Sequence, residues 1–144
     1  MDIIEDLVKK NRLKKGNCSA EMYKKELRVG ERDLETAQRS LLDGNYKWAV
    51  IQAYYAIFHA ARALLFKSGY REESHSALKI AFKVLYVETG IISNNTYNAL
   101  ERGMNLREMA DYKETYSQSG AENLIQSVAA ALKEIENEIF KSQT

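Results

Sequence analysis

NYKWAVIQAYYAIFHAARALLFK, residues 45–67, is apolar almost all the way round when wound as a helix, the property of a helix enclosed by neighbours. One side is a column of alanines, Ala49, Ala53, Ala56, Ala60 and Ala63, whose small side chains permit a close helix contact. The opposite side carries Val50, Tyr54, Ile57, Phe58, Leu64 and Leu65 as bulk. Such a segment must lie at the centre of a bundle, so the flanking sequence has to supply the helices that cover it.

It does so in pieces separated by glycine, and the chain contains no proline. Gly16, Gly44, Gly69, Gly90 and Gly120 fall where helices are expected to stop, while Gly30 and Gly103 interrupt helical patterns. Tyr23, Leu27, Gly30, Leu34, Ala37 and Leu41 form one stripe at steps of three and four residues. Gly30 sits on that buried line, which reads as close backbone approach rather than a break. Leu78, Ala81, Phe82 and Leu85 mark a shorter helix, and Tyr97, Leu100, Met104 and Arg107 another. The last stripe is Ala121, Ile125, Val128, Leu132, Ile135 and Ile139, preceded by Ser119 and Glu122 at capping-box spacing. The expected fold is all-α, an up-and-down bundle of four to five helices over residues 19–144, with residues 1–18 as an N-terminal tail or short helix.

A chain of 144 residues is long enough for one domain with a core that needs no disulfide or metal staple. No uninterrupted apolar run approaches the roughly 18 residues of a membrane span. Asp2, Glu5 and Asp6 near the start are unlike a signal peptide, and the lone Cys18 excludes an internal disulfide, so a soluble cytoplasmic protein is expected. The net charge of +1, from 21 basic and 20 acidic residues well mixed along the chain, gives no strong field to draw in nucleic acid. Lys9, Lys10, Arg12, Lys14 and Lys15 read as a solvated tail.

Chemistry has few places to sit. On residues 45–67, Gln52, Tyr55, His59 and Arg62 fall within a strip about 80° wide, with Trp48 and Phe66 at its ends. Buried polar groups need partners, so the strip is either a structural hydrogen-bond network or the lining of a groove. Arg107 continues an apolar stripe and needs an acceptor, which is either Glu108 or Asp111 within its own helix or a bound phosphate. His75, just after Ser74 at an expected helix start, either caps the helix or meets an anion. His59 and His75 are the only histidines, and neither has a helical metal-ligand partner, so no metal and no cofactor are expected. Phosphate-loop, dinucleotide and nucleophile-elbow patterns are absent.

Three separated motifs carry a family resemblance: Ala53-Tyr54-Tyr55-Ala56-Ile57-Phe58-His59-Ala60-Ala61-Arg62-Ala63-Leu64-Leu65, then Ser74-His75-Ser76 after Gly69, then Leu106-Arg107-Glu108-Met109-Ala110-Asp111-Tyr112. Together they resemble the HEPN domain, particularly its small prokaryotic members, over roughly Tyr23 to Phe140. The resemblance implies a helical bundle that commonly forms homodimers and is often paired with a minimal nucleotidyltransferase as toxin and antitoxin. Many HEPN proteins are metal-independent ribonucleases with an arginine, four to six residues and then a histidine. Here the motif arginine corresponds to Arg107, but Tyr112 follows after four residues, and neither Lys113 nor Glu114 is histidine. Tyrosine, with an ordinary pKa near 10, is a poor proton shuttle at neutral pH. Arg71 and His75 have only three residues between them and are no substitute. The implied activity is therefore binding of a nucleotide, RNA or partner protein in a groove lined by Tyr55, His59, Arg62, His75, Arg107, Asp111 and Tyr112, with catalysis weak or lost. A ribonuclease toxin and a purely structural dimerisation module are the alternatives.

Overall fold

The computed structural model describes residues 2–110 and 116–141. They form α1 (Ile3–Lys9), β1 (Leu13–Lys15), α2 (Ala20–Leu42), α3 (Tyr46–Lys67), β2 (Tyr70–Glu72), α4 (His75–Phe82) continued by a π-helical turn (Lys83–Val87), α5 (Asn94–Ala110) and α6 (Gln118–Ile139). The architecture is the expected all-α bundle, with a two-stranded ladder added.

α3 is the central helix and packs against α2, α4, α5, α6 and β2. All five residues of its alanine column are fully buried. It is long and apolar enough to cross a membrane, yet its apolar surface is mostly covered by the other helices. Gly30 explains how closely α2 approaches: a Cβ there would lie 2.6 Å from the Ala56 carbonyl oxygen. On α6 the whole predicted stripe is buried.

Three local expectations are corrected. Gly120 does not end a helix; it lies in the first turn of α6, whose cap is Ser117 rather than Ser119. Ser117 Oγ accepts from the Gly120 amide at 3.0 Å, and a Cβ on residue 120 would crowd that oxygen at 2.8 Å. Gly16 does not end a helix either. It follows β1, and its N–H donates to the Gly69 carbonyl at 2.9 Å. α1 ends at Lys9 instead, and Asn11, just past its Lys10 cap, turns the chain with a φ of 59°, a left-handed conformation that asparagine tolerates. Nor is the basic stretch a free tail. Leu13, Lys14 and Lys15 pair antiparallel with Glu72, Arg71 and Tyr70, Lys14 reaches Glu73 at 3.3 Å, and Arg12 donates to Ser76 Oγ at 2.6 Å. Leu13 supplies the reason, since it is 1% exposed and anchors the strand in the core.

Candidate functional site

The polar strip of α3 divides between two sets of neighbours. Gln52 hydrogen-bonds Ser40 Oγ of α2 at 2.7 Å. His59 Nδ1 lies 2.7 Å from Glu26 Oε1, and its Nε2 lies 3.7 Å from Asp33 Oδ2, both carboxylates on α2. Arg62 donates through Nε to Glu72 Oε2 of β2 at 2.8 Å, through Nη2 to the same oxygen, and through Nη1 to Glu26 at 3.4 Å. Its guanidinium also covers the Phe58 ring at 4.6 Å. A structural network thus accounts for Gln52, His59 and Arg62.

The charges in this network adjust to one another. Burial alone would push the Glu26 carboxyl up, but the His59 hydrogen bond and the charges of His59 and Arg62 outweigh it and hold Glu26 below its ordinary range. Asp33 is pushed up by burial, with the Glu26 charge adding to the effect and His59 opposing it.

Tyr55 is the strip residue that meets Arg107. The α5 guanidinium lies 5.6 Å from the Tyr55 ring and 5.9 Å from the Tyr54 ring, so two phenol faces support one cation. Among the described residues Arg107 has no carboxylate within ion-pair distance, in contrast to Arg62. Glu108, the adjacent candidate within the helix, makes no ion pair with it; Asp111 and Tyr112 lie outside the described residues.

His75 is the first residue of α4, with Ser74 capping the helix through the Ala77 amide at 3.1 Å. Its Nδ1 is 2.6 Å from the Tyr54 hydroxyl, and its ring packs on Phe58 with centroids 4.4 Å apart. Burial, then the charges of Arg107 and Arg62, hold the imidazole below its ordinary range, while Glu72 and Glu108 oppose this. His75 is therefore neutral near pH 7. Tyr54, fully enclosed, is pushed well above the usual phenol range by burial and stays protonated.

Tyr54, Tyr55 and Phe58 thus form an aromatic floor on which Arg107, His75 and Arg62 rest. Tyr54 and Phe58 are buried, so such a surface can receive an anion on Arg107, with Tyr55 the one partly open ring beside it. Among the described residues no three histidine, cysteine or carboxylate side chains converge as a metal site. Sequence reading placed Tyr54 and Phe58 in the core as bulk and assigned no role to Glu26, Asp33 or Glu72. The signal available for two of these was their spacing, since Glu26 and Asp33 lie four residues before and three after Gly30, on the line where α2 meets α3.

The HEPN domain family matches residues 23–138. The chain is 32% identical over 117 residues to "Putative toxin MJ0605" of Methanocaldococcus jannaschii, covering 76% of this chain and 87% of that protein. It is 33% identical over 72 residues to "UPF0332 protein PH1297" of Pyrococcus horikoshii, covering 50% of this chain and 51% of that one. A second M. jannaschii protein, "Putative toxin MJ0142", is 27% identical over 97 residues, covering 65% and 66% of the two chains.

Proposed function

This chain belongs to the HEPN domain family, and we propose that it is a toxin-family module that binds the phosphate of a nucleotide or an RNA end at Arg107, with weak or no catalysis of its own. The observation that carries this reading is the state of Arg107: it rests on Tyr54 and Tyr55 with no carboxylate partner among the described residues. Beside it stands a neutral His75. Arg62, by contrast, is already neutralised by Glu72 and Glu26. In this reading Tyr112 takes the place of the ribonuclease histidine without its ability to move a proton near neutrality. The names of two relatives support a toxin context. A homodimer, with a minimal nucleotidyltransferase as partner, completes the proposal.

Titration with nucleotides and short RNA, wild type against Arg107→Ala, tests the site. Loss of a charge-assisted phosphate contact should weaken binding by about 10-fold or more. Equal weak binding by both proteins refutes the groove. The alternative of a metal-independent ribonuclease finds its support in the same neutral imidazole beside an arginine. RNA cleavage in EDTA by wild type but not by His75→Ala would favour it, and no cleavage by clean protein would exclude it.

A further inference from the structure

Resting on the anion-site reading above, we propose that Tyr54 is the positioning residue of the site: its buried hydroxyl donates to His75 Nδ1 and fixes the imidazole in the tautomer that offers Nε2–H to a phosphodiester held by Arg107. The Tyr54 side chain is 0% exposed, and among the described residues its hydroxyl has one hydrogen-bond partner, His75 Nδ1 at 2.6 Å. A buried hydroxyl with a single acceptor donates to it, because an unpaired O–H away from water is costly. Nδ1 then accepts, and the neutral ring carries its proton on Nε2.

Protonating His75 would turn Nδ1 into a donor, force the phenol to accept, and leave the Tyr54 hydrogen without an acceptor. The surrounding charges point the same way. Arg107 on α5 and Arg62 on α3 disfavour a third cation, and Glu72 on β2 and Glu108 on α5 counter them only in part. Arg12, ahead of β1, is held by the neighbouring Ser76. The Tyr54 ring also lies under Arg107, so one phenol places both donors.

The test combines imidazole nitrogen NMR with binding of a uridine tetranucleotide lacking terminal phosphates, whose diester charges do not titrate over the pH range compared. Wild type, Tyr54→Phe, His75→Gln and Arg107→Ala are compared. In the free wild-type protein at pH 7.5, His75 should show an unprotonated Nδ1 and a protonated Nε2. Tyr54→Phe should bind about 3- to 10-fold more weakly at pH 7.5, the value of one hydrogen bond. When the pH is lowered until the nitrogen shifts show His75 doubly protonated, it should return to within about 2-fold of wild type, because a protonated imidazole donates from both nitrogens whatever its orientation partner. His75→Gln, which keeps a donor but cannot titrate, should show no such recovery. A protonated Nδ1 in the wild type, or a Tyr54→Phe affinity equal to wild type at both pH values, overturns the role of Tyr54. Full-strength binding by Arg107→Ala, or no binding by wild type, instead overturns the anion site, and this proposal with it.

Discussion

Arg62 and Arg107 carry the same guanidinium but differ in what surrounds it. Arg62 is tied to Glu72 and Glu26, and this pairing also recruits His59, so the group holds α2, α3 and β2 together. Because Glu26 titrates below its unfolded value, its contribution is present above about pH 4.5 and is lost as pH falls through the folded pKa. Urea denaturation at pH 7 and pH 3.5 should therefore show a larger stability loss for wild type than for Glu26→Gln; equal losses would contradict the assignment. The sequence showed that His59 and Arg62 needed partners, because they lie on a buried helix. It could not show which carboxylates would answer, since Glu26 lies 33 residues from His59 and only the packed bundle brings them together. Tyr54 was hidden for a related reason: periodicity places its ring in the core but says nothing of where its hydroxyl ends.

At the scale of elements, apolar spacing made the long helices readable. α6 buries its whole predicted stripe, and α3 is enclosed on nearly every side, so in both cases burial follows the pattern directly. β1 and β2 were not readable, because each has three residues and Lys14 and Lys15 dominate the first by composition. Gly30 and Gly103 both lie within helices, yet they should respond differently to alanine. Gly30→Ala would drive a methyl group into the Ala56 backbone and should destabilise the protein by about 1–3 kcal/mol. Gly103→Ala meets Tyr54 at 3.4 Å and gains helix propensity, so its stability should change much less. Urea midpoints of the two variants measure this contrast, and equal losses would mean that the α2–α3 approach is not set by Gly30.

Across the whole molecule, the N-terminal elements connect to the site. Leu13 pairs with Glu72, and Glu72 holds Arg62 beside Phe58 and His75. Leu13→Ala should cost about 2–5 kcal/mol by thermal or urea denaturation, and a value near zero would show that β1 is dispensable to the core. The molecule also offers a rival location for a ligand, a cavity of about 460 Å³ between α5 and α6 lined by Ser93, Thr96, Arg102, Ser127 and Glu134. There Glu134 already accepts from Ser93 and Thr96, which gives the region a structural occupation. Chemical-shift mapping with the uridine tetranucleotide separates the two places. The largest shifts should fall on the Arg107 side chain, His75, Tyr54 and Tyr55. Shifts centred on Arg102 and Ser127, with Arg107 and His75 unmoved, would contradict an anion site on the aromatic floor.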